Sequence, residues 1–445
     1  MKCLDIADRI LEKISHRADN AEVFVSDGTS FAVEITDGKI ETITRSQHSG
    51  TGIRIIKGKK LGFAYSSGFA KENTDLAIES AFANGMFTEP DESLSLPEDN
   101  GKHPDCEHFD ENISRMSVQE KVDTARRLEQ TAKEYDARIA KVERATYQDF
   151  TGNTAVANSN GMRAAYKETH CTVSLTAVAE SGGDVQCSGS MQWARGFHNL
   201  NAEKIGTEAA SRAVSLLGGK VLATKMRKII LDPMAGVELI SLVALMLSAD
   251  AVQKGKSLLA GKTGMKIAAE IFVLVDDGTL ENGAATAPFD GEGVMSSRKV
   301  MIENGILKKY LHNVYTGNKS GGKSTGNGVR MSFRGLPEVG PTNFFVMPGS
   351  RKPEDVLSRV KNGIYVMDIL GLHLANPVSG DFSIGISGRI IENGQLTGAV
   401  RGMVMAGNLT DLLSGISDIG SDLTFYGNFG SPTLFLGEFM VSGND

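Results

Sequence analysis

The hydrophobic positions change period repeatedly along the chain, and each change marks an element. Ile6, Ile10, Leu11 and Ile14 recur at helical spacing and predict an amphipathic helix over 4–15. The period then falls to two. Val23 and Val25 alternate with Glu22 and Phe24, and Phe31, Val33 and Ile35 alternate with Ala32 and Glu34. Asp37-Gly38 breaks this run with two residues that tolerate positive φ, a hairpin turn pattern. Ile53 and Ile55 flank Arg54, and Lys57-Gly58 turns the chain again. The reading is an antiparallel meander closed by a helix over 72–86.

Periodicity then lapses. Residues 87–115 are acidic and broken by Pro90 and Pro97, so they read as a surface linker. Ser117-Val118-Gln119-Glu120 fits a capping box and starts a helix to about Asp136. Further strands turn at Asn160-Gly161, and a helix over 202–217 ends at Gly218-Gly219. A short strand, Lys228 to Leu231, opens the second half. Asp232 and Pro233 stand as N-cap and first residue of an apolar helix over about 236–250. Turn pairs at Asp277-Gly278, Asn304-Gly305 and Asn393-Gly394 follow, with one helix over 353–362.

The fold class is therefore α+β: an N-terminal half of sheet and helices, and a C-terminal half of mostly antiparallel β. The expected divisions are 1–86, the linker 87–115, 116–225 and 226–445. Antiparallel hairpins argue against a doubly wound parallel sheet.

Composition narrows the function classes. The 445 residues are 41% hydrophobic and 23% charged, with 50 glycines against 11 prolines. Those are ordinary globular values with many tight turns. The net charge of −7 carries no basic stripe, so nucleic-acid binding is not expected. The longest apolar run, Leu239 to Ala249, is too short for a membrane span, which needs roughly 20 residues. Asp5 and Asp8 interrupt the N-terminal segment, so it does not read as a signal peptide. The expectation is a soluble cytoplasmic protein whose Cys3, Cys106, Cys171 and Cys187 are free thiols.

Several motifs invite chemistry. Gly317-Asn318-Lys319-Ser320-Gly321-Gly322-Lys323-Ser324 has the spacing of a phosphate-cradling loop. Thr325-Gly326-Asn327-Gly328 follows where a helix must open, so a glycine-rich loop is the better reading. Gly322-Lys323-Ser324-Thr325-Gly326 fits a nucleophile elbow, which needs a strand, a helix and a downstream histidine; only His373 follows. His103-Pro104-Asp105-Cys106-Glu107-His108 gathers metal-type ligands in the linker, without rigid elements to hold them. Asp290 and Glu292 are a close carboxylate pair, suited either to acid–base work or to a turn in which Asp290 accepts backbone N–H groups.

An ordered set of strings resembles the TldD/TldE (PmbA) family, whose members have also been labelled modulators of DNA gyrase. The strings are Ala21-Glu22-Val23, Pro288-Phe289-Asp290-Gly291-Glu292-Gly293-Val294, Lys323-Ser324-Thr325-Gly326-Asn327 and Ser379-Gly380-Asp381-Phe382-Ser383. Ile391-Glu392-Asn393-Gly394, Ala406-Gly407-Asn408-Leu409 and Gly430-Ser431-Pro432-Thr433-Leu434 complete it. The resemblance implies a metallopeptidase framework. Its TldD branch carries H-E-x-x-x-H on the helix opening the C-terminal half and a cysteine downstream, residue types that bind zinc and activate water. In this chain Ile240 and Leu245 stand at the histidines, Ser241 at the glutamate and Ile419 at the cysteine.

The resemblance thus points to the TldE (PmbA) branch: no catalytic, cofactor or metal residues of its own, and zinc on a TldD-like partner. Such a pair would degrade unfolded or flexible peptides. Two other readings stand beside it. One is a self-sufficient hydrolase built on Asp290, Glu292, His312 or Ser324. The other is a homodimeric peptide-binding or regulatory protein.

Overall fold

The computed structural model describes residues 3–99, 101 and 109–443. The His103–His108 cluster and Cys106 lie outside the described residues, as does the side chain of His373.

The N-terminal meander is longer than periodicity alone defines. β1 (Asn20–Thr36), β2 (Lys39–Lys57), β3 (Lys60–Ser67), β4 (Ile139–Asn158), β5 (Arg163–Ser181) and β6 (Asp184–Ala194) form one antiparallel sheet. Its order is β3-β2-β1-β4-β5-β6. The strands before and after the acidic linker therefore share a sheet, because β1 pairs with both β2 and β4. Asp37-Gly38 forms the expected turn, with φ of 52° and 72°. The next turn centres on Gly58 and Lys59 (φ 57° and 62°), one residue later than Lys57-Gly58.

Residues that pair across antiparallel strands share a face. Val23, Val33, Ile53, Tyr147, Ala155 and Val173 bury one face against helices. These are α1 (Cys3–Ile14) and α2 (Lys71–Met86) at one end, with α4 (Val118–Tyr135) and α5 (Ala202–Ser215) at the other; α3 (Glu111–Arg115) lies beside β4 and β5. Ser117 and Glu120 form the capping box on α4, each side chain bonded to the other's backbone N–H. The opposite face meets the C-terminal half, where Phe24, Val156 and Ala164 pack with Phe289 and Phe333.

The C-terminal half has two six-stranded sheets and a small two-stranded one. Strands Gln395–Asn408, Asp381–Glu392, Asn362–Leu370, Lys225–Leu231 and Leu434–Ser442 pair in that order. The last strand returns to the first through Val404–Ser442 and Ala406–Met440, which closes a barrel. Asn393-Gly394 makes one of its hairpins, with φ of 52° and 76°. The second sheet runs through Arg298–Glu303, Leu274–Asp277, Asn343–Val346 and Phe429–Ser431.

Three local expectations are corrected. Asp277-Gly278 ends a strand but opens a loop, and the next strand begins at Arg298. The 353–362 helix stops at Ser358, because Gly363–Val366 pairs in parallel with Lys228–Leu231 in the barrel. The apolar helix begins at Pro233 and ends at Met246. It is α6 (Pro233–Met246), followed by the separate short helix α7 (Ala249–Gln253). Asp232 is its N-cap, accepting from Ala235 N–H at 2.9 Å.

α6 packs against strands of both sheets, which explains its nearly continuous apolar sequence. Ile240 and Val243 join Ile229, Ile364, Ile384 and Val441 of the barrel in one core. Among the described residues no helix is long and apolar enough to cross a membrane.

Candidate functional site

α6 carries three of the four positions that the resemblance aligns with a metal motif. Their environments differ. Ile240 is fully buried, and Ser241 donates its hydroxyl to Glu238 O at 2.7 Å within the same helix. Leu245 is 65% exposed. Ile419 lies in the same core as Ile240, beside Asp418, whose carboxylate accepts from Arg359 at 2.6 Å.

Zinc needs imidazole, thiolate or carboxylate ligands. Ile240, Leu245 and Ile419 offer no lone pair, and the Ser241 hydroxyl is committed to its helix. A zinc ion does not fit these four residues. Among the described residues no group of three or more His, Cys, Asp and Glu side chains is placed to hold a metal ion.

Asp290 and Glu292 are brought into a buried ion network where the two halves meet. Glu22 and Arg54 point from the N-terminal sheet toward the C-terminal half. Arg54 reaches Glu22 at 2.6 Å and Glu292 at 3.0 Å, and Arg330 binds the other oxygen of Glu22. Glu292 also accepts from Val314 N–H at 2.7 Å, at the first residue of α8 (Val314–Lys319). Burial alone would pull the Arg54 pKa down; Glu22 and Glu292 more than reverse this, so the shift is upward.

Asp290 serves the turn reading. It accepts from the N–H groups of Glu292, Val294 and Gly328 at 2.8–3.0 Å. Burial and the adjacent Glu292 charge push its pKa up, while these donors pull it back. Glycine is required opposite: a Cβ on Gly328 would sit 2.7 Å from a Glu292 oxygen. The carboxylate pair is thus occupied by structural partners on every side described.

Ser324 and His312 are adjacent, but through the backbone. Ser324 Oγ donates to His312 O at 3.1 Å and accepts from Gly326 N–H at 3.1 Å. The imidazole is not its base, so the pair forms no nucleophile–base unit. Burial lowers the His312 pKa. The 317–324 segment begins in the last turn of α8 rather than after a strand, and no helix opens at Lys323-Ser324. Neither a phosphate loop nor a nucleophile elbow is formed.

A cleft of about 570 Å³ lies between the halves. Asp91 and Leu94 of the linker, Asp250 and Lys254 after α6, Tyr315 of α8 and Glu338 line it. Tyr315 donates to Asp91 at 2.8 Å, which ties the linker to the C-terminal half.

Sequence reasoning missed Arg54, Arg330 and Arg212 as buried groups. Arg54 sits between buried Ile53 and Ile55 and looks like the solvent position of a half-buried strand. Alternation separates two faces; it does not say whether the polar face meets water or a second layer. Arg212 binds Asp232, the α6 cap, and donates to Met367 O at 2.7 Å, joining α5 to the barrel.

Comparison with known proteins agrees along the whole chain. Residues 21–85 match the PmbA/TldA metallopeptidase domain 1, 111–217 its central domain and 224–443 its C-terminal domain. The metalloprotease PmbA of Escherichia coli O157:H7 is 26% identical, over 97% of this chain and 94% of its own. A Thermotoga maritima protein described as a modulator of a DNA gyrase superposes with a TM-score of 0.90 at 26% identity, covering 98% and 99% of the two chains. TldE from Thermococcus kodakarensis gives 0.90 at 25% identity, with the same coverage. With its three domains matched in order, this chain belongs to the PmbA/TldD/TldE family of metallopeptidases.

Proposed function

We propose that this chain is the non-catalytic, TldE-type subunit of a heterodimeric metallopeptidase that degrades unfolded or flexible peptides. Its partner is a TldD-like chain that carries the zinc. The observation that carries the reading is the chemistry of the motif positions: Ile240 and Ile419 sit in the hydrophobic core, Ser241 is bonded within its helix, and Leu245 is apolar. None of the four supplies a metal ligand or a base for water. The strand-rich scaffold supports a substrate-enclosing role, because an extended peptide can add to a sheet edge through backbone hydrogen bonds, with broad sequence tolerance. The chain is expected to act in the cytoplasm and to bind neither nucleic acid nor membrane.

The self-sufficient hydrolase gains nothing from the geometry, since Asp290, Glu292 and Ser324 are each engaged by structural partners. The test of the subunit reading is zinc content with association. The purified chain alone should hold far less than one zinc per chain and co-elute with a TldD-like chain from the same cell. Stoichiometric zinc on the isolated chain, or failure to associate when both are folded, would overturn it.

A further inference from the structure

The strand Arg298–Glu303 carries a lysine into the interior. Lys299 stands directly across from Asp276 in the antiparallel pair with Leu274–Asp277, and the two side chains are 6% and 0% exposed. Asn327, also fully buried, reaches the same point from the segment after α8. Lys299 Nζ lies 3.0 Å from Asp276 Oδ2, and Asn327 Nδ2 donates to that same oxygen at 2.9 Å. One carboxylate oxygen therefore holds a lysine amine and a primary amide next to each other.

An ion pair alone explains this arrangement poorly. A lysine ammonium has three donors, and a buried charge is costly unless it is both paired and hydrogen-bonded. Among the described residues Lys299 Nζ has Asp276 within ion-pair distance and no well-aligned hydrogen bond. The groups around it are held firmly. Asn327 Nδ2 also donates to Gly340 O at 2.9 Å, and Asn327 Oδ1 accepts from the Thr325 hydroxyl at 2.7 Å. Thr342 N–H donates to the other oxygen of Asp276 at 2.6 Å.

These are the parts of an acyl transfer between two side chains. A lysine amine is a nucleophile, and an amide carbon whose oxygen accepts from a hydroxyl is a polarised electrophile. A carboxylate that touches both nitrogens can carry protons from one to the other. The fold holds the reactants together, and burial keeps out competing water. The rival reaction at an Asn-Gly pair is ring closure by the next backbone nitrogen. Here the Gly328 N–H is engaged by Asp290 at 2.8 Å.

We propose that Lys299 and Asn327 join in an intramolecular isopeptide bond, with Asp276 as the proton carrier. Lys299 Nζ, deprotonated by Asp276, attacks Asn327 Cγ. The Nζ–Cγ bond forms and the Cγ–Nδ2 bond breaks. Two protons leave Nζ by way of Asp276 and go to the departing nitrogen, which leaves as ammonium. Asp276 ends as the carboxylate it began as, and no oxidant or cofactor enters. The bond closes residues 299–327, with α8 and the glycine-rich segment, into a covalent ring anchored on the sheet. This inference does not rest on the subunit role proposed above.

The test is mass spectrometry of the full chain, intact and after trypsin. The intact wild type should be lighter than its sequence by one ammonia. Its digest should contain one branched peptide joining residues 299–308 to 324–330, uncut after Lys299. Lys299→Arg keeps a cation beside Asp276 and should have its full sequence mass. Asp276→Asn should also have its full mass, with circular dichroism showing that it folds. The wild-type digest decides the question even if a variant fails to fold. Wild type at full sequence mass, with residues 324–330 recovered as a free unmodified peptide, would overturn the proposal. So would a loss of ammonia that persists in Lys299→Arg, which marks ring closure at an Asn-Gly pair instead.

Discussion

Arg54→Met tests how the two halves are held together. The substitution keeps an apolar stem and removes the cation that touches both Glu22 and Glu292, whose side chains are 1% and 0% exposed. Glu22 retains Arg330, and Glu292 retains the Val314 N–H. A carboxylate left in the interior without its cation costs about 3–5 kcal/mol. Adding Glu292→Gln removes that stranded charge and keeps an acceptor for Val314. The double variant should therefore recover at least about 1 kcal/mol of the loss. Urea unfolding at pH 7 reads both values through the fluorescence of Trp193, the single tryptophan. Trp193 stacks on His170 and lies under Arg195, which donates to Thr286 O at 2.7 Å across the halves. A cost below about 1 kcal/mol, or no recovery in the double variant, would refute the reasoning.

Other predictions follow from single contacts. Ile240→His should cost about 2–4 kcal/mol in thermal or urea unfolding, because it places an imidazole in the apolar core, whereas Leu245→His should stay within about 0.5 kcal/mol of wild type. Gly62→Ala should destabilise by about 1–3 kcal/mol, since its Cβ would meet Ala81 O of α2 at 2.0 Å. Burial raises the Asp232 pKa from 3.8 to about 6 against the pull of Arg212. An acid with a raised folded pKa favours the native state most below its unfolded pKa, and that contribution is lost as pH rises to the folded value. Asp232→Asn should therefore flatten the fall in stability between pH 4 and 6, compared by slope rather than level. Ser324→Ala should leave peptide cleavage by a reconstituted complex unchanged, because its hydroxyl serves the His312 carbonyl.

Local chemistry made much of the fold legible. The Asp37-Gly38 and Asn393-Gly394 hairpins, the Ser117/Glu120 capping box and the Asp232 cap each depend on residues within a few positions. Barrel closure was not legible, because the pairing of Gln395–Asn408 with Leu434–Ser442 is non-local and leaves no periodic mark. The early stop of the 353–362 helix has the same origin: pairing with Lys225–Leu231 overrode local propensity. At the site, the apolar character of α6 was plain from Leu239 to Leu247, but the outward Leu245 was not. A helix apolar on all sides gives no moment to say which side faces out. The buried role of Glu22 and Arg54 depended on a second layer that strand alternation does not encode.

The most direct test of the central claim is cleavage of an unfolded polypeptide by three samples: this chain, a TldD-like partner from the same cell, and their mixture, each with and without a chelator. Chelator-sensitive cleavage appearing only in the mixture is the predicted result. Cleavage by this chain alone, in a preparation shown to be free of partner, would contradict it.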